Sequence, residues 1–329
     1  MEDIKIYRGK VNNKVVVIGG GTGLSTMLRG LKKLPIDITA IVAVSDDGGG
    51  SGMIRSDLGI LPPGDIRNCI LALSNAEPTM TELLRYRFQD GNLKGQSFGN
   101  LFLAAMNGIS MSFSQAVLKM CKILSVNGQV LPVTEEDVNL KGIFNDQSSI
   151  IGESKISEYI KKTGKKLDHV ELIPENPKAL DDALEEIRKA KMIILGPGSL
   201  YTSIIPNLLV NGISEAIRKS SAKKVYIANV MTQQGETEGY TLSDHISALH
   251  KHSFEDIIEY CLVNNRKGEE IYLEKYRLEG AEPVIIDDDK FTDSNIKFIK
   301  KDFLNEGGNY LRHDPRKLAD VIYELLTEN

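Results

Sequence analysis

Val15-Val-Val-Ile-Gly-Gly-Gly-Thr-Gly23, followed at once by a helical pattern from Leu24, is the stretch that decides the fold. Four consecutive β-branched residues suit a strand buried on both faces of a parallel sheet. Glycines at 19, 20, 21 and 23 suit a chain that turns sharply into a helix while letting an anion approach its N–H groups. Gly20, Gly21, Thr22 and Gly23 are therefore the first phosphate-binding candidates. The spacing departs from the dinucleotide fingerprint, because the third glycine position is Leu24 counted from Gly19 and Thr26 counted from Gly21. It is not a Walker A loop either, since no Gly-Lys-Ser/Thr follows.

Outward from this turn, strand-like runs recur at Val15–Ile18, Ile38–Val44, Met192–Leu195, Val225–Val230, Tyr260–Val263 and Val284–Ile286. Helical patterns such as Leu24–Leu34 and Leu180–Ala190 separate most of them. Alternation of this kind predicts an α/β fold, a doubly wound, mostly parallel Rossmann-like sheet with ligand groups in loops at the strands' C-terminal ends. Between 124 and 171 short alternating runs replace the pattern, with an Asn127-Gly128 hairpin signal, and predict an inserted small β-rich subdomain. The helix Ser114–Ile123 precedes the insertion, and Asn176-Pro177 opens the helix that follows it. Asp314 as N-cap with Pro315 at the first position starts a last helix that buries Leu318, Val321, Ile322 and Leu325. Residues 1–329 read as one domain carrying an insertion.

Composition sets bounds on function. The 329 residues are 41% hydrophobic, enough for a large core, and the net charge of −5 gives no basic field for nucleic acid. Cys69, Cys121 and Cys261 are odd in number and far apart, which fits a reducing compartment better than a disulfide framework. Met1-Glu-Asp-Ile-Lys5 lacks a charged-then-apolar leader, and no run approaches the ~18 apolar residues of a membrane span. The expectation is a cytoplasmic protein without membrane insertion.

Several other segments carry chemistry. Ser45-Asp-Asp-Gly-Gly-Gly-Ser-Gly52 sets Asp46 and Asp47 at the rim of the sheet, where carboxylates hold a ribose diol or share Mg²⁺ with a diphosphate, and an Asp-Gly turn is the plainer reading. Pro62-Pro-Gly-Asp-Ile-Arg-Asn68 presents Asp65, Arg67 and Asn68 in a helix's first turn; Asp65 also suits a simple cap, and Arg67 is a natural fork for phosphate. Asn100 opens another helix. Gly196-Pro-Gly-Ser-Leu-Tyr-Thr-Ser203 follows a strand and makes a second anion cradle from Gly196, Pro197, Gly198, Ser199 and Ser203. It lacks the Gly-x-Ser-x-Gly elbow of serine hydrolases, since Leu200 and Tyr201 follow Ser199. Asn229 and Thr232 end the next strand with groups suited to a base edge or sugar. His245, His250 and His252 do not share one helical face, which argues against a metal cluster. Asp287-Asp-Asp289 reads as a solvated loop.

Taken together, Val16-Ile-Gly-Gly-Gly-Thr-Gly, Val44-Ser-Asp-Asp-Gly-Gly, Pro62-Pro-Gly-Asp-Ile-Arg-Asn, Ser97-Phe-Gly-Asn-Leu, Gly196-Pro-Gly-Ser-Leu-Tyr-Thr-Ser-Ile-Ile-Pro-Asn and Asn229-Val-Met-Thr-Gln resemble the CofD-like family, in its bacterial gluconeogenesis-factor (YvcK) branch. One class in that family transfers 2-phospholactate from a guanosine diphosphate donor to a deazaflavin with Mg²⁺. The branch resembled here is associated instead with UDP-sugar binding, gluconeogenic growth and cell-shape and wall synthesis. The resemblance implies a nucleotide-sugar or dinucleotide ligand with its phosphates at Gly20–Gly23 and Gly196–Ser199. It puts Asp46 and Asp47 where a transferase would hold Mg²⁺ or acceptor. Ser45-Asp46-Asp47-Gly48 is similar to the gluconeogenesis-factor form of that turn, not the transferase's Thr-Gly-Asp-Asp. Gly50 and Gln234 stand where Ser and Pro are expected, and Met53 where a basic residue is expected. A homodimer and a regulatory protein partner are compatible with this reading.

Overall fold

The computed structural model describes residues 13–305 and 310–328; the Met1–Lys5 segment considered above lies outside them. Seven parallel strands form the main sheet: β1 (Lys14–Gly19), β2 (Asp37–Val42), β3 (Gln129–Pro132), β7 (Met192–Leu195), β8 (Lys223–Ile227), β9 (Tyr260–Asn264) and β10 (Lys297–Lys301). Their order is β10-β9-β8-β7-β1-β2-β3. The chain thus steps one way from β1 to β3 and the other way from β7 to β10. Right-handed crossovers place the two sets of helices on opposite faces, and the direction reverses between β1 and β7. Val15, Val16, Val17 and Ile18 are wholly buried, as the unbroken apolar run requires.

The insertion contributes a second sheet, β5-β4-β6, antiparallel and built from β4 (Asn139–Phe144), β5 (Ser149–Ile151) and β6 (Leu167–Ile173). Helix Glu153–Thr163 runs between β5 and β6. Gln129–Pro132 is not part of this unit, because it pairs with β2 in the main sheet. The Asn127-Gly128 signal makes no hairpin. Gly128 adopts φ 120° and lets the chain pass close to Ile38, where a Cβ would meet the carbonyl oxygen at 2.6 Å.

Other boundaries differ for local reasons. The helix after Asn176-Pro177 starts at Asp181, since Asn176 is left-handed and Lys178 pairs with Asn211 first. Val284–Ile286 forms only a bridge from Ile285 to Thr241, and the last strand is Lys297–Lys301. The final helix is as read: Asp314 accepts from the N–H groups of Arg316 and Lys317, and Pro315 is the first helical residue. This helix crosses helix Gly21–Leu31 so closely that a Cβ on Gly30 would lie 1.9 Å from the Pro315 carbonyl oxygen. No helix among the described residues is long and apolar enough to cross a membrane.

Candidate functional site

The adjacency of β1 and β7 brings the two glycine-rich loops together. Gly196 N–H donates to the Ile18 carbonyl (2.9 Å), and Asn207 Nδ2 donates to the carbonyls of Gly19 (3.2 Å) and Ser203 (2.8 Å). Cβ atoms added at Gly23 and Gly198 would lie 2.6 Å from the Pro197 carbonyl oxygen and 3.3 Å from that of Gly20. Gly21 (φ 68°) and Gly196 (φ 81°) adopt left-handed turns that favour glycine. Leu200–Ile204 is a π-turn, a form that recurs at functional sites.

Neither loop presents bare N–H groups throughout. Gly21 N–H donates to Asp65 Oδ2 (2.5 Å), and Tyr201 and Thr202 N–H both donate to Glu236 Oε1 (2.5 and 3.1 Å). Asp65 therefore does not cap its own helix, Gly64–Leu73, but reaches across to the start of helix Gly21–Leu31. Burial pushes the Asp65 carboxyl up to about 6, and burial pushes Glu236 up to about 7, the N–H donors pulling the other way. Glu236 is 4% exposed, and its second oxygen, sealed from solvent, has no partner among the described residues. Nothing in the local pattern Gln-Gly-Glu-Thr marked this residue.

Asp46 and Asp47 go to different partners. Asp46 accepts from Gly48 N–H (2.9 Å), and burial raises its pKa, with the Asp47 charge adding to the rise. Asp47 Oδ1 accepts from Ser154 N–H (2.8 Å) and so caps helix Glu153–Thr163, whose N-cap, Gly152, has no side chain to do it. That contact ties the insertion to the rim of the sheet. It delivers Glu153, whose Oε2 is closed off without a partner and whose carboxyl is pushed far up by burial and by Asp46, Asp65, Glu236 and Asp47 around it.

The neighbouring polar residues are only partly committed to internal hydrogen bonds. Arg67 donates through its two Nη atoms to Ser97 Oγ and to Asn68 Oδ1 (2.7 Å), while its buried Nε has no partner among the described residues. Ser97, not Asn100, caps helix Phe98–Gly108; Asn100 is buried with its Oδ1 unpartnered. Arg87 lies where a Cβ on Gly50 would be 3.6 Å from its Nη1, while Met53 is 44% exposed on helix Gly49–Leu58.

On the other side of the loops lies a cavity of about 270 Å³. Thr22 and Gly23 from the first loop and Pro197 and Gly198 from the second border it, and so do Tyr276 and Arg312. Thr22 and Gly23 belong to the first turn of helix Gly21–Leu31, whose N–H groups have no partner within the helix. Tyr276 is fixed by its hydroxyl, which donates to the Leu311 carbonyl (3.0 Å). Asn229 also lines this cavity; its Nδ2 donates to the Gly198 carbonyl (3.0 Å). Ser199 Oγ donates to Gln233 Oε1 (2.7 Å), and Thr232 pairs through backbone and hydroxyl with Glu282. Tyr276 and Arg312 are distant in sequence from every glycine motif, and only the fold reveals them.

His245 and His252 make contacts that hold the fold together. His245 Nδ1 bonds the Thr241 carbonyl, and His252 spans from the Ala248 carbonyl to Val170 N–H, joining the helix Leu242–Lys251 to β6. Asp287 is no free loop residue, since it accepts from the N–H and hydroxyl of Ser243 at the start of that helix. Among the described residues, no group of three or more His, Cys, Asp and Glu side chains is arranged to hold a metal ion.

A doubly wound parallel sheet with two glycine loops and a cavity at its switch point defines a Rossmann-like α/β protein. The family model described as 2-phospho-L-lactate transferase CofD matches residues 15–304, and the chain belongs to that family, in its gluconeogenesis-factor branch. A putative gluconeogenesis factor from Thermoanaerobacterium thermosulfurigenes is 56% identical over 95% of this chain and 97% of its own. The gluconeogenesis factor of Bacillus subtilis is 46% identical over 96% and 98%. A crystal structure of a UPF0052 family member from Bacillus halodurans superposes with a TM-score of 0.91 at 47% identity, covering 94% of this chain and 99% of that one.

Proposed function

We propose that this protein is a cytoplasmic regulatory factor that binds a nucleotide-sugar of the UDP-sugar type and links gluconeogenic carbon metabolism to cell-shape and cell-wall synthesis. The observation that carries the binding part is the cavity of about 270 Å³ bordered by both glycine loops at once. The diphosphate sits on the N–H groups of Thr22 and Gly23 in the helix's first turn beside Gly198, and Arg312, the arginine that lines this cavity, supplies positive charge. The Tyr276 ring, which lines the same cavity, walls the base. The relatives' name, gluconeogenesis factor, supports the metabolic part. Calorimetric titration with UDP-glucose and UDP-N-acetylglucosamine tests this reading: saturable binding is expected, and its absence counts against it.

A second reading is a Mg²⁺-dependent transferase of a phosphate-linked group from a nucleoside-diphosphate donor, which the family's name supports. Asp46, Asp65 and Glu153 are hard oxygen donors; the Asp46 charge adds to the rise that burial imposes on Asp65 and Glu153, Asp65 adds to that of Glu153, and a divalent cation would relieve that repulsion. Among the described residues these carboxylates are not arranged as a metal-binding group, so a Mg²⁺ ion would have to rest chiefly on waters and substrate phosphates. When bound, the ion would polarise the donor's phosphate oxygens. Asp46 would orient the acceptor hydroxyl, and Asp47 would hold Glu153 in place. Mg²⁺-dependent release of nucleotide that Asp46→Asn abolishes while binding persists would favour this reading; an intact donor after long incubation would exclude it.

A further inference from the structure

Glu236 is not accounted for by phosphate binding, yet it is the group that fixes the second loop. Both N–H groups it accepts, from Tyr201 and Thr202, precede Ser203, whose side chain abuts both loops: a Cβ on Gly198 would lie 3.2 Å from Ser203 Cβ, and one on Gly21 would lie 3.4 Å from Ser203 Oγ. The carboxylate thus stands at a helix start where a ligand anion would otherwise sit. Its other oxygen is without a partner, and the residue lines a cavity of about 160 Å³ between the insertion and the main body.

We propose, building on the nucleotide-sugar reading, that Glu236 is a positioning residue that couples occupancy of the two-loop site to uptake of one proton. The charged and titratable groups that face it are Tyr201 from the second loop, Glu238 and Tyr240 on its own segment, Glu153 from helix Glu153–Thr163, and Lys165 and Lys166 on the shared cavity. Lys165 is engaged by Asp146 and the Tyr159 hydroxyl, and Glu238 is engaged by the N–H groups of Gly235 and Glu236. Among the described residues no cation compensates the carboxylate directly, and burial raises its pKa to about 7. A diphosphate arriving at Gly198 adds negative charge on the far side of the same loop. The carboxylate is disfavoured further and takes up a proton, while its carbonyl oxygen still accepts from the loop.

A nucleotide-sugar is the right probe because its diphosphate is esterified at both ends and lacks the second phosphate pKa of about 6 that a terminal phosphate has. UDP-glucose is titrated calorimetrically between pH 7 and 8.5 in buffers of different ionisation enthalpy. Wild type is expected to take up a proton and to weaken as pH rises, by at most about tenfold per pH unit for one proton. Glu236→Gln, which keeps the acceptor without the charge, is expected to bind with no proton uptake and little pH dependence; Glu236→Ala, which keeps neither, is expected to bind weakly throughout. Wild-type binding that is pH-independent, with no buffer-dependent heat, overturns the proposal and leaves the nucleotide-sugar reading standing. Absence of binding at every pH overturns both. A wild-type profile without proton uptake overturns the proposal even if the variants do not fold, and the contrast between wild type and Glu236→Gln assigns the proton to Glu236 and not to Asp65 at the first loop.

Discussion

Gly23 and Pro197 touch: a Cβ placed on Gly23 would lie 2.6 Å from the Pro197 carbonyl oxygen and 3.0 Å from its carbon. Two loops that are 174 residues apart in the chain, the difference between 23 and 197, therefore meet backbone to backbone. The neighbour is a carbonyl and cannot swing away. Gly23→Ala is expected to push the loops apart, costing about 1–3 kcal/mol of stability as overpacking does. UDP-glucose affinity should fall at least tenfold. Thermal denaturation and calorimetry check the two effects; unchanged affinity would mean that the ligand does not use both loops.

Asp47 caps a helix that belongs to another sheet. Asp47→Ala is expected to lower stability by about 1 kcal/mol, the usual cost of an N-cap. Hydrogen exchange should quicken at Ser154 and through the first turn of Glu153–Thr163 while β1 stays protected. Uniform acceleration throughout the molecule would argue that the contact does not act locally.

The raised pKa of Glu236 also makes a statement about folding. Its folded pKa, about 7, lies above the ordinary value of 4.5, so the native state binds the extra proton between those values. Its stabilising share is full below pH 4.5 and is lost as pH rises to about 7, a change on the order of 3 kcal/mol for one fully buried group. His252, lowered to about 4 by burial, contributes with the opposite sign, its share being lost as pH falls from 6.5 towards 4. Glu236→Gln is expected to be more stable than wild type at pH 8 and close to it at pH 5. Denaturant midpoints at the two pH values test this, and equal differences at both would contradict it.

How much could be read from the chain follows from the range of each interaction. The glycine loops, β1 and the Asp314-Pro315 helix start are local patterns, and the structure reproduces them. Lys297–Lys301 was missed because three of its five residues are lysines, which suits an edge strand protected from further pairing and hides the apolar signal. Val284–Ile286 is apolar but its Val284 N–H is taken by the Val230 carbonyl, so it makes no ladder. The roles of Glu153 and Glu236 were invisible, because whether a carboxylate is solvated or buried is settled by segments far away in sequence. For the same reason Asp46 and Asp47, adjacent in the chain, serve different helices.

The cavity bordered by the two loops, Tyr276 and Arg312 is the place proposed here for a nucleotide-sugar. The most direct test is calorimetric titration of UDP-glucose into wild type, Arg312→Ala and Tyr276→Ala at pH 7. Saturable binding by wild type, weakened at least tenfold in each variant with the fold intact, is the predicted result. No binding by wild type, or equal binding by all three proteins, would rule out a nucleotide-sugar in this cavity.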